Sequence, residues 1–199
     1  VIFRDLGRIP YATSFKAMQA FTRERSAITP DEIWWCEHDP VFSLGRHANP
    51  AHLLMPGNIP IVQSDRGGQV TYHGPGQLMG YCLINLRARK IGPAALVSRL
   101  EAALLDLLTS FGIQAELSAG RPGIYVQHHK ICSLGLRIKE GFSYHGFALN
   151  VDMDLAPFSL INPCGESSLQ MTMLAALSNE VDLMPKVKSR LVEIMQQRL

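Results

Sequence analysis

Apolar residues along this chain recur with two different periods, and the changes of period mark where helices and strands are expected. Over residues 13–26, Phe15, Met18 and Phe21 fall at helical spacing with Lys16, Arg23 and Glu24 opposite, which predicts an amphipathic helix. A longer stripe runs through Leu96, Leu100, Ala103, Leu104, Leu107 and Phe111. Pro93 opens that helix and Gly112 is placed to close it as a left-handed C′ residue. Two more helices are expected near the end, one capped by Ser167 or Ser168 and running through Leu177. The other is capped by Asp182 and carries Val187, Leu191, Ile194 and Met195 on its apolar face. Short β-rich runs occupy residues 33–36, 59–62, 81–86, 123–127, 130–138 and 142–151. Strands alternating irregularly with a few helices fit an α/β chain of the α+β kind better than a strict βαβ succession. The expected architecture is a mixed β-sheet with flanking helices on one side.

Composition narrows the class. A chain of 199 residues suits a single domain spanning residues 1–199. Its longest apolar run, residues 78–86, already contains Asn85 and is far shorter than the roughly 18 residues of a spanning helix. Arg4, Asp5 and Arg8 do not read as a secretory signal, and Val1 in first place reads as a processed or trimmed start. Cys36, Cys82, Cys132 and Cys164 form no C-x-x-C pair, which argues against a zinc knuckle and against a dense disulfide framework. No metal ligand set is expected, and a reducing, cytoplasmic setting is the simpler reading. The formal charge is +2, but it is unevenly spread. Between Asp39 and Glu101 the only acid is Asp65, against Arg46, Arg66, Arg87, Arg89, Lys90 and Arg99, and the stretch between Glu116 and Glu140 holds no acid at all. Such stretches either are ordinary solvated faces or form a surface for an acidic partner. Without basic-aromatic repeats, an acidic protein is favoured over nucleic acid.

Three blocks carry candidate chemistry. In the first, Arg66, Gly67, Gly68, Gln69, Val70, Thr71, Tyr72 and His73 lead into Gly74-Pro75-Gly76-Gln77. Its glycines let backbone N–H groups approach a ligand, although the run is neither a phosphate loop nor a dinucleotide fingerprint. The second joins Lys130 at the head of an apolar strand to Ser133, Leu134 and Gly135, then to His145, Gly146, Phe147 and Ala148. A lysine there either snorkels to water or is paired, because desolvating an ammonium is costly. The third is Pro163-Cys164-Gly165, a turn that can expose a thiol, whereas the other three cysteines sit in apolar runs and read as inert core. A free thiol is only a few per cent thiolate at pH 7. Lowering its pKa by about two units takes about 2.7 kcal/mol, which a poorly solvated ammonium can supply and a surface lysine cannot. Whether Lys130 meets Cys164, thirty-four positions away, is not decided by spacing.

Together the blocks R-G-G-x-x-T-x-H-G-P-G-Q, K-x-x-x-x-G with H-G-F-A-L-N, and P-C-G resemble the lipoyl(octanoyl) transferases of protein lipoylation. They stand in family order across residues 66–165. The resemblance implies the fold of the biotin and lipoate protein ligase catalytic domain. It also implies transfer of an octanoyl group from octanoyl-acyl carrier protein to a lysine of lipoyl domains, with no cofactor. The acceptors implied are the lipoyl domains of 2-oxoacid dehydrogenases and the H protein of glycine cleavage. No nucleic acid or membrane partner is implied, and the enzyme is expected to be a monomer. Cys164 becomes the acyl-thioester nucleophile and Lys130 the group that lowers its pKa and moves protons. Arg66 to His73, Ser133–Gly135 and Gly146–Ala148 become the walls that hold the acyl chain and its carbonyl, with an apolar tunnel expected from Leu78, Leu134, Phe147 and Leu149. Cys132-Ser133 departs from the small residues expected there. Three alternatives stand beside this reading: an ATP-dependent lipoate or biotin protein ligase on the same fold, a non-catalytic binding module, and a cysteine hydrolase using His73 or His145 as base.

Overall fold

The computed structural model describes all 199 residues. Ten strands and four α-helices follow one another along the chain. The first stretch is β1 (Ile2–Arg8), α1 (Tyr11–Glu24), β2 (Glu32–Glu37), β3 (Val41–Leu44), β4 (Ile61–Gln63), β5 (Val70–His73) and β6 (Gln77–Leu83). Then come the one-turn α2 (Leu86–Arg89), α3 (Pro93–Ser110), β7 (Glu116–Ser118), β8 (Arg121–Val126), β9 (His129–Lys139), β10 (Phe142–Asn150) and α4 (Leu183–Arg198). Seven strands form one mixed sheet in the order β1-β2-β6-β10-β9-β8-β7, in which only the β1–β2 pair is parallel. A second sheet, β4-β3-β5, holds three strands.

Period-two alternation decides which residues each face of the large sheet offers. Trp34 and Cys36 of β2, with Met79, Tyr81 and Leu83 of β6, meet Met18 of α1. Ile33, Trp35, Leu78, Cys82, Phe147 and Leu149 face the other way, onto Leu96, Leu100, Leu104 and Leu107 of α3 and Val187, Leu191 and Met195 of α4. The sheet is therefore covered on both faces, not on one side as expected. β2 and β6 are buried along nearly their whole length, so their sequence reads as an apolar run rather than a one-sided alternation.

The helix expected to run through Leu177 does not form. A short 3₁₀ turn at Leu174–Ala176 is all that remains of it. The residues before it are extended because their backbone partner is Lys130: Lys130 N–H donates to Gln170 O at 2.9 Å, and Thr172 N–H donates to Lys130 O at 2.9 Å. Helix α4 begins where expected, but Asp182 makes no side-chain cap and sits in the left-handed region. Gly112 closes α3 with φ +74. Strands β1, β3, β5 and β7 had no counterpart in the reading above. Of these, β5 lies inside the glycine-rich run, where Val70–His73 pairs with Val41–Leu44.

Candidate active site

Between the two sheets, near the meeting of β5, β8, β9 and β10, lies a cavity of ≈ 480 Å³. That volume is within the range of sites that enclose small ligands. The glycine-rich run forms one wall, and what shapes it is Arg66, a residue only 9% exposed. Its guanidinium donates to Ser43 O (2.6 Å), Gly67 O (2.8 Å), Gln69 O (2.8 Å) and Ser43 Oγ. Arg66 thus lines the cavity while its donors tie the loop carbonyls of Gly67 and Gln69 to Ser43 of β3. Gly67 N–H donates to Leu136 O, so the loop lies across β9 at Gly135, where an added Cβ would stand 3.0 Å from Gly67 O.

Behind this wall sit three buried histidines whose tautomers follow from their partners. His38 Nδ1 faces the carbonyl of Ile9, which can only accept, so Nε2 accepts from Tyr81 Oη at 2.6 Å. His73 Nδ1 donates to Gln77 Oε1 at 2.7 Å, and Ser43 Oγ lies 2.8 Å from its Nε2. His145 Nε2 donates to Asp65 Oδ1 at 2.7 Å, and Tyr144 donates to the same carboxylate. Burial lowers the pKa of all three rings, that of His73 furthest, with the neighbouring His38 and Arg66 adding to the effect there.

Lys130 and Cys164 meet across the cavity. Lys130 is 2% exposed, and its Nζ donates to Cys164 Sγ at 3.0 Å. Burial is the largest influence on this ammonium and pushes its pKa down. The opposing charge and hydrogen bond of Cys164, with a contribution from the Tyr125 phenol, outweigh burial, and the pKa ends above the ordinary lysine value. The lysine does not snorkel. Its stem passes over Gly123, which has φ +135 and where a Cβ would run into Lys130 Cε and stand 3.0 Å from Nζ. Cys164 sits in the one-turn 3₁₀ segment Pro163–Gly165 with φ +58, a left-handed conformation that costs a non-glycine residue about 1 kcal/mol or more. It is the one cysteine of four that is not buried. Burial raises the other thiols, that of Cys82 to about 12.

Most of the anticipated wall is present. Arg66–Thr71, His73, Ser133, Leu134, Gly135, Gly146, Phe147 and Ala148 all line the cavity. Tyr72 does not: its ring packs with Phe42 and Phe158 under the small sheet. Leu78 and Leu149 also lie elsewhere, in the core beneath α3 and α4, and the apolar lining comes instead from Met79, Val97, Leu134, Leu136, Ile138 and Phe147. The sequence reading missed Tyr11, Tyr81, Gly123 and Tyr125. A signal for Tyr125 existed. Gln127 and His128 both have positive φ and join β8 to β9 in a tight hairpin, so antiparallel register sets Tyr125 directly opposite Lys130. Part of the basic run is consumed internally: Arg66 is buried, Arg89 pairs with Asp31 and Arg121 with Glu166.

Comparison with known proteins identifies the family. Residues 10–196 match the model of the lipoyl protein ligase A/B catalytic domain. The octanoyltransferase of Pseudomonas entomophila is 54% identical over 188 residues, covering 94% of this chain and 87% of that protein. The octanoyltransferase of Cellvibrio japonicus is 51% identical over 188 residues, with the same coverage. Among solved structures, a bipartite lipoate protein ligase from Thermoplasma acidophilum superposes with TM-score 0.79 at 13% identity, covering 99% of this chain and 82% of that one. Lipoate-protein ligase A bound with ATP gives 0.75 at 17% identity, covering 100% and 85%. The biotin protein ligase of Aquifex aeolicus gives 0.59 at 10% identity, covering 100% and 68%. The fold is thus that of the lipoate and biotin protein ligases, and the relatives by sequence are acyltransferases. The chain belongs to the lipoyl protein ligase A/B catalytic domain family, on its octanoyl-transferring side.

Proposed function

We propose that this enzyme moves an octanoyl group from octanoyl-acyl carrier protein to a lysine of lipoyl domains through a thioester on Cys164. The observation that carries the reading is the 3.0 Å contact between the Lys130 ammonium and Cys164 Sγ at the wall of a largely apolar cavity. An ammonium at hydrogen-bond distance in a poorly solvated site favours the thiolate, the nucleophilic form of cysteine. Sγ attacks the carrier thioester carbon. The tetrahedral adduct collapses, the carrier sulfur leaves, and Lys130 supplies its proton. One thioester replaces another, so this half needs no ATP. In the second half a neutral lysine amine attacks the acyl-enzyme, Cys164 departs as thiolate and Lys130 takes up the amine proton. The product is an amide, which makes the transfer downhill.

A histidine-assisted hydrolase fits less well. Both nitrogens of His73 have partners in Ser43 and Gln77, His145 is held by Asp65, and the group touching Cys164 is a lysine. The carrier protein as donor is supported by the exposed basic residues Arg46, Arg87, Lys90 and Lys139. Lipoyl domains as acceptors accord with the octanoyltransferase relatives and with the solved ligase described with its E2 lipoyl domain.

Intact mass after mixing with octanoyl-acyl carrier protein tests the reading. Wild-type chain is expected to gain one octanoyl group and Cys164→Ala none. Lys130→Ala is expected to acylate about 10–100-fold more slowly at neutral pH, with partial recovery as pH rises and the thiol ionises unaided. An adduct on Cys164→Ala, or amide formed from ATP and free octanoate without carrier, would overturn it.

A further inference from the structure

Tyr125 is 2% exposed and lines the cavity, yet its phenol oxygen has no hydrogen-bond partner. Buried tyrosine hydroxyls are almost always partnered, since an unmade bond there costs about 1–3 kcal/mol. The neighbour on its own face is Lys130, opposite it in the β8–β9 register, with Nζ 5.4 Å from the ring centroid. In the resting state Nζ is directed to Cys164 Sγ, and the Tyr125 phenol is near enough to raise the ammonium's pKa although no hydrogen bond of ordinary geometry joins the two.

Resting on the thioester mechanism above, we infer that Tyr125 is a positioning residue: its phenol oxygen accepts an N–H of Lys130 once Cys164 is acylated and holds the amine during transfer to the acceptor lysine. The reason is the change at sulfur. A thiolate is a strong acceptor and keeps Nζ in place. A thioester sulfur is uncharged and a poor acceptor, so acylation removes the one bond that fixes the lysine head. After the carrier sulfur has left with the proton, Lys130 is a neutral amine with two N–H groups and a lone pair. Donating one N–H to Tyr125 Oη keeps the lone pair at the acyl carbon, where it must receive the proton of the attacking amine. No bond to Tyr125 forms or breaks, and the phenol keeps its own proton throughout.

The two half-reactions separate this role from a structural one. Tyr125→Phe keeps the ring beneath Nζ and removes only the oxygen. By intact mass, the variant is expected to form the octanoyl-enzyme from octanoyl-acyl carrier protein at a rate within threefold of wild type. It is expected to pass the group to a lipoyl domain at least tenfold more slowly, so that acyl-enzyme accumulates. Its thermal midpoint is expected to be unchanged or raised, because an unpartnered hydroxyl has been deleted. Equal slowing of both halves, slowing of the first alone, or no change in either would overturn the inference. If wild type itself forms no adduct, it is the thioester mechanism that fails.

Discussion

A lysine ammonium that is 2% exposed needs both a polar partner and a path for its stem, and here two residues supply them. Cys164 is the partner, its Sγ 3.0 Å from Nζ on a left-handed backbone that L-residues seldom adopt. Gly123 is the path, since the Lys130 methylenes lie where any Cβ at that position would be. Gly123→Ala is therefore expected to displace the ammonium from sulfur and to strain β8, whose φ of +135 at this residue favours glycine. The expected result is a drop of about 10–100-fold in acyl-enzyme formation, as for Lys130→Ala, with a stability loss of about 1–3 kcal/mol. Urea titration and intact mass measure the two effects, and a variant as active as wild type would remove Gly123 from the account. At this scale the cysteines were legible from their neighbours. Cys36, Cys82 and Cys132 stand in apolar runs and are buried, while Cys164 stands between proline and glycine and is open.

At the scale of elements, the site depends on segments that local signals misdescribe. The glycine-rich run carries no strand signal, yet four of its residues form β5, because Val70–His73 finds a partner in β3 that no local pattern announces. The segment after Cys164 has serine caps and helical composition, yet it stays extended because its backbone clamps Lys130 through Gln170 and Thr172. Both cases are tertiary pairings overriding local preference, and they lie at the site itself. The long helices α3 and α4 were legible because their stripes face one core and nothing competes with them. Arg66 shows what holds the glycine-rich run in shape. A lysine cannot reproduce a planar fork that reaches Ser43, Gly67 and Gln69 at once. Arg66→Lys is expected to cost about 3 kcal/mol, equivalent to a fall in thermal midpoint of about 6–12 °C, and to slow acylation by about tenfold or more. A midpoint within a degree of wild type would show that the loop holds itself.

For the whole molecule, the three buried imidazoles set the response to acid. His38, His73 and His145 all have folded pKa values below the ordinary histidine value, because burial disfavours their charged forms. Above about pH 6.5 both folded and unfolded chains leave them neutral, and they add no pH dependence. Below it the unfolded chain takes up protons that the folded chain refuses, so stability falls as pH drops. With all three refusing, the slope approaches about 4 kcal/mol per pH unit. Asp65 adds a later loss. Burial raises its pKa, but the bonds from His145 and Tyr144 outweigh this and leave it lowered, so its stabilisation is lost as pH falls below the usual carboxylate range. Thermal midpoints at pH 7.5, 6.5 and 5.5 are expected to stay level over the first interval and drop over the second, and a level second interval would contradict this. The Lys130–Cys164 contact also has a consequence for acid–base traffic. In the proposed cycle a thiolate beside an ammonium and a thioester beside a free amine carry the same net charge, namely zero. The hydrogen that leaves Nζ with the carrier sulfur is replaced from the neutral acceptor amine, so the pair regains its own proton, and the one proton shed to solvent per turnover is that of the acceptor's ammonium form.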